Sequence, residues 1–164
     1  MVTVVVPFRG ASAKSRLGRP DLARAMLEDV LDAAREVGDV VVANGEGGQG
    51  AAVVAALARV EGPVLVVNAD LPCATSADLR ALFEATPAGG AAIVGAEDGT
   101  TNAVSVSDAR LFAPLYGPGS AARFVAAGAV AVDLPNLAAD VDTPEDLERL
   151  GERLGPRTRA ALGG

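Results

Sequence analysis

Histidine is absent from this sequence, and cysteine occurs once, as Cys73. Without histidine there is no usual general base, no usual zinc ligand and no Ser-His or Cys-His nucleophile pair. A lone cysteine excludes an internal disulfide and a multi-cysteine metal site, and points to a reducing compartment. Tryptophan is also missing and aromatic residues make up 3% of the chain. The core must therefore be Val, Leu and Ala, whose small side chains let helices lie close to a sheet. Lysine occurs once, as Lys14, against thirteen arginines. No apolar run approaches the ~18 residues of a membrane span, and Met1 to Val6 is too short for the apolar part of a signal peptide. A soluble, cytoplasmic protein is expected.

What is present suits one domain. The 164 residues are enough for one core and too few for two comfortable ones. The expectation is a single domain over 1–164, with 155–164 as a peripheral tail. A net charge of −7 argues against a nucleic-acid or anionic-membrane binder, so an anionic ligand must be held by local cations, backbone amides or a metal.

Along the chain, Thr3 to Val6 reads as a buried strand. Leu22, Met26, Leu27, Val30, Leu31 and Ala34 recur at helical spacing, and Gly38 sits where a helix stop belongs. Asp39 to Ala43 is a second strand, followed by a helix over Ala51 to Arg59. Pro63 to Asn68 is a third strand, and Thr75-Ser76 with Asp78 caps the next helix. This βαβαβα order predicts a three-layer α/β/α sandwich around a mostly parallel sheet. Ala91 to Val94 gives a fourth strand, and Thr101 to Val106, close behind an Asp-Gly turn, an antiparallel member. A helix after Gly117-Pro118-Gly119-Ser120, a strand over Ala129 to Leu134, and a helix capped by Thr143 with Pro144 at its first position complete the pattern.

Open α/β sheets bind ligands beyond the carboxyl ends of their strands. Three features fall there: a basic loop with Arg9, Lys14 and Arg16, the Asp70-Leu71-Pro72 turn, and Asp140 with Asp142. Carboxylates gathered beside a basic loop, without histidine, suit a hard oxygen-liganded cation such as Mg²⁺ that bridges phosphates. Each also has an ordinary reading, as a strand-ending turn or a helix cap. Gly117 to Ser120 reads as a helix start with a free serine hydroxyl and exposed amides, a seat for an anion, and Thr100-Thr101-Asn102 offers a second polar turn. Gly45 to Gly50 formally matches G-x-G-x-x-G. It follows the second strand rather than the first and carries Glu46 where a pyrophosphate would sit, so a loop that lets a purine or ribose approach is at least as good a reading.

In this order, Ala13-Lys14-Ser15-Arg16-Leu17, Ala69-Asp70-Leu71-Pro72, Gly99-Thr100-Thr101-Asn102-Ala103, Tyr116-Gly117-Pro118-Gly119-Ser120 and Asp140-Val141-Asp142-Thr143-Pro144-Glu145-Asp146-Leu147 form a pattern. It resembles the guanylyltransferases that activate 2-phospho-L-lactate or phosphoenolpyruvate in biosynthesis of the deazaflavin coenzyme F-420. The likeness covers nearly the whole chain to about Leu150. It implies a GT-A-type nucleotidyltransferase fold, GTP and Mg²⁺, and a small phosphorylated three-carbon acid as acceptor; a homodimer is left open. By motif, Asp70 and Asp142, with Asp140 as a further candidate, would hold the metal. Thr101, Gly117 and Ser120 would seat the acid. Lys14 and Arg16 would meet the GTP phosphates, with Pro7, Arg9, Gly10, Gly48 and Gly50 completing the nucleotide side. The chain departs from the family at Arg9, where a lysine is usual, and at Gly48-Gln49-Gly50, where Gly-Leu-Asn is usual. Two other readings stand beside this one: a related nucleotidyltransferase using another nucleotide or a sugar phosphate, and a non-catalytic nucleotide-binding homologue.

Overall fold

The computed structural model describes residues 2–10, 17–44 and 47–163. Six strands form one sheet: β1 (Thr3–Pro7), β2 (Asp39–Ala43), β3 (Val64–Val67), β4 (Ala91–Gly95), β5 (Thr101–Val106) and β6 (Val130–Ala131), in the spatial order β2-β1-β3-β5-β4-β6. β1 runs parallel to β2 and β3, and β6 parallel to β4, while β5 is antiparallel to both its neighbours. The expected antiparallel member is therefore the central β5. Every residue of β3 and β5 is buried, which is why these central strands show no clean polar alternation.

Period-two geometry divides the apolar residues between the faces. Val4, Val6, Leu65, Val67 and Val94 meet α1 (Pro20–Arg35) and α3 (Ser76–Glu84) through Leu27, Val30, Leu79 and Leu82. Val5, Val64, Val66, Ile93 and Val104 pack on the other face against α2 (Gln49–Leu57) and α4 (Ser120–Ala126), through Val53, Leu57 and Phe124. The three layers are those the alternation of elements implies.

Two stretches differ from expectation. The strand expected over Ala129 to Leu134 shrinks to Val130–Ala131, because it lies at the exposed sheet edge and the chain turns at Leu134 into the short helix α5 (Pro135–Ala138). The expected tail 155–164 carries a helix instead, α7 (Pro156–Gly163), which docks on α1 beyond α6 (Pro144–Leu150). Asp29, buried in α1, accepts from the backbone N–H of Arg157 (3.0 Å) and Thr158 (2.9 Å) and from the Thr158 hydroxyl (2.6 Å). That single carboxylate caps the α7 N-terminus, where unpaired amides and the helix dipole favour a negative charge. Gly155 makes the approach feasible, since a Cβ there would collide with the Asp29 carboxylate.

Candidate active site

The carboxyl ends of β1 and β3 open onto a cleft of about 200 Å³ whose lining includes Pro7, Arg9, Gly10, Gln49, Asn68 and Asp70. Pro7, Arg9 and Gly10, expected on the nucleotide side, thus share one cleft. Lys14 and Arg16 lie outside the described residues, as do Gly45 and Glu46 of the glycine turn. Gly48 caps α2 with φ of 96°, a left-handed value that suits glycine. Gln49, between the two glycines singled out above, lines the cleft.

Asp70, Asp140 and Asp142 come together, each offering a carboxylate oxygen within 4.8 Å of the others. Backbone geometry explains the convergence. The Val141 N–H donates to the Asp70 carbonyl at 3.0 Å, joining the segment before α6 to the turn after β3. Val141 itself is fully buried, so Asp140 and Asp142 flank an anchored residue. The Asp142 and Thr143 amides donate to Asp146 Oδ2 at 2.9 and 3.1 Å, while Thr143 Oγ1 accepts from the Asp146 amide. The Thr143 cap of α6 therefore also fixes the backbone that carries Asp142.

Burial pushes the Asp140 carboxyl above the usual carboxylate range; Asn102 Nδ2, 3.2 Å away, opposes this, and the charges of Asp70 and Asp142 reinforce it. Three crowded oxygens of this kind could hold a divalent cation, whose charge would relieve their repulsion.

Thr101 opens β5 and Ser120 opens α4, and their hydroxyl oxygens are 2.7 Å apart in a buried contact. The sequence reading is corrected here. The Ser120 hydroxyl is not free; it is half of a buried pair with Thr101. Gly119, at φ 74°, is the N-cap that turns the chain into α4. Arg123, which no sequence motif includes, braces the loop before it. Its guanidinium donates to the carbonyls of Leu115 (2.8 Å), Tyr116 (3.2 Å) and Pro118 (2.6 Å). This fixes the backbone on both sides of Gly117.

No family model matches the chain. It is 38% identical over 200 aligned positions to the phosphoenolpyruvate guanylyltransferase of Streptomyces coelicolor, covering 96% of this chain and 94% of that one. The chain belongs to the phosphoenolpyruvate/2-phospho-L-lactate guanylyltransferase family. A 2-phospho-L-lactate guanylyltransferase of Natrialba magadii is 32% identical, covering 88% of this chain and 80% of that one. The phosphoenolpyruvate guanylyltransferase of Nocardia farcinica is 45% identical over a shorter stretch, 60% of this chain, and there the chain spans about half the relative's length (46%). The alignment with the Streptomyces protein is longer than the 164 residues of this chain, so that guanylyltransferase carries internal segments this member lacks.

Solved structures place the family member among nucleotidyltransferase folds. One described as a nucleotide-diphospho-sugar transferase from Desulfovibrio desulfuricans G20 superposes with a TM-score of 0.77 at 14% identity, covering 99% of this chain and 94% of that one. Rv0371c of Mycobacterium tuberculosis H37Rv, solved in complex with manganese, has a TM-score of 0.57 at 25% identity, covering 91% and 96%. The antiparallel β5 within the sheet also sets this chain apart from the dinucleotide-binding order 3-2-1-4-5-6. The G-x-G-x-x-G match thus has no Rossmann unit around it. Among the described residues, no helix is long and apolar enough to cross a membrane.

Proposed function

We propose that this chain transfers GMP from GTP to the phosphate of phosphoenolpyruvate or 2-phospho-L-lactate, releasing pyrophosphate, as a cytoplasmic step of coenzyme F-420 biosynthesis. The observation that carries the reading is the convergence of Asp70, Asp140 and Asp142, in a chain of this family. An oxygen of the acid's phosphate forms a bond to the α-phosphorus of GTP. The bond to the α–β bridging oxygen breaks, and its electron pair leaves with pyrophosphate.

A phosphate monoester has a second pKa of about 6, so this nucleophile is ionised at neutral pH and needs no general base. That accounts for a site without histidine. The chain's own residues bind and orient. Thr101, Ser120 and the braced backbone at Gly117 seat the acid, and the cleft of Pro7, Arg9, Gly10 and Gln49 takes the nucleotide, with Lys14 and Arg16 assigned to its phosphates. Asp70, Asp142 and Asp140 would hold Mg²⁺, which neutralises phosphate charge when bound.

The test is pyrophosphate release by the purified chain with GTP, Mg²⁺ and each acid in parallel. Release with GTP and one of the acids is expected. Its absence with both acids across the four common nucleotides overturns the proposal, and release only with a sugar phosphate points to the related nucleotidyltransferase reading.

A further inference from the structure

Asn68 directly follows β3 and stands two positions before Asp70. Its backbone N–H donates to the Asn102 carbonyl at 3.0 Å, and its Nδ2 donates to the Thr101 carbonyl at 3.1 Å. On its other side it accepts at Oδ1 from Gln49 Nε2, 2.5 Å away. The residues it touches lead to three parts of the site. Thr101 carries the hydroxyl paired with Ser120, Asn102 donates to Asp140, and Gln49 lines the cleft at the start of α2.

The direction of this chain of hydrogen bonds is fixed at its far end. A backbone carbonyl only accepts, so Asn68 must turn its Nδ2 toward Thr101 and its Oδ1 toward Gln49. Gln49 must then meet it with Nε2. Neither amide can rotate by half a turn without breaking the chain. The start of α2 is braced on a second side as well, since a Cβ on Gly50 would lie 3.0 Å from the Pro114 Cβ, in the segment leading to Tyr116 and Gly117.

We infer that Asn68 is a positioning residue for the proposed transfer, holding the nucleotide side of the cleft in register with the acid's seat. The inference rests on the function proposed above. The two substrates must meet in line at the α-phosphorus, and a misplacement of about 1 Å costs on the order of a hundredfold in rate. An amide that bonds α2 through Gln49 and β5 through Thr101 sets that spacing. It does so without touching the reacting atoms.

The experiment compares the parent chain with N68A, N68D, Q49A and the double variant N68A/Q49A. It measures pyrophosphate release with GTP, Mg²⁺ and phosphoenolpyruvate or 2-phospho-L-lactate, the KM of each substrate, and GTP binding by calorimetry. N68A should lower kcat/KM roughly ten- to hundredfold and raise both KM values. Asp at position 68 can accept from Gln49 but cannot donate to Thr101, so N68D should behave as N68A does. Q49A should raise the nucleotide KM alone, and should add less than about twofold to the loss in N68A. A folded N68A with kcat and both KM values within about twofold of the parent overturns the inference and leaves the function standing. Multiplicative losses in the double variant do the same. If N68A does not fold, Q49A decides: an unchanged nucleotide KM overturns the inference. A parent chain that neither binds GTP nor releases pyrophosphate overturns the functional reading, and this inference with it.

Discussion

The Oγ1 atom of Thr101 and the Oγ of Ser120 lie 2.7 Å apart and are shielded from solvent, joining the start of β5 to the start of α4. Nineteen residues separate them in sequence. A buried hydroxyl pair is stable only while both members are present, because either one alone leaves a buried polar group unsatisfied. T101V and S120A should each destabilise the fold by about 1–3 kcal/mol, and T101V/S120A by less than the sum of the two. Urea unfolding measures this. If the pair seats the acid, all three variants should also raise the KM for the acid more than that for GTP.

The carboxylate cluster makes the opposite prediction for stability. D70N or D142N removes a negative charge from a crowded group, so the melting temperature without metal should hold or rise. Turnover should fall by on the order of a hundredfold or more, the scale of losing an electrostatic stabiliser. Thermal melts with and without Mg²⁺ or Mn²⁺ separate the two effects. The parent should be stabilised by the cation, and D70N and D142N much less so.

Asp29 should matter for stability and not for chemistry. D29A removes the cap that ties α7 to α1 and leaves two backbone amides and a buried hydroxyl without their acceptor. A loss of about 2–3 kcal/mol is expected. G155A should have a similar effect, because its Cβ would meet the same carboxylate. Both should keep their kcat at temperatures where they remain folded.

One acid-sensitive element borders the site. Asp98 Oδ1 accepts from the Thr100 hydroxyl (2.6 Å) and amide (3.0 Å), which hold its carboxyl below the usual range. A folded value below the unfolded one means that the folded chain resists a proton the unfolded chain accepts. The stabilisation is complete above the unfolded value of about 4 and is lost as the pH falls through the folded value. The group is exposed, so D98A should cost less than about 1 kcal/mol at pH 7. That difference should shrink toward pH 3, as measured by melts at both pH values.

The sequence by itself determined the layered fold, because alternation of apolar periods is a local signal: Val4 to Val6 has to be a buried strand, and Leu22 to Ala34 a helix with one apolar face. It also marked Asp70, Asp140, Asp142, Thr101 and Ser120, since these residues sit in short motifs at strand ends. Only the tertiary structure decided how they combine. Nothing local says that Val141 hydrogen-bonds to Asp70, that Ser120 is paired rather than free, or that Asp29 caps a helix 128 positions away. Gln49, Asn68 and Arg123 were illegible for the same reason. Their side chains bond mainly to backbone carbonyls and to each other, and such partners leave no periodicity in the sequence. The motifs name the groups that carry charge and hydroxyls, while the distances between them follow from how the sheet and its helices pack.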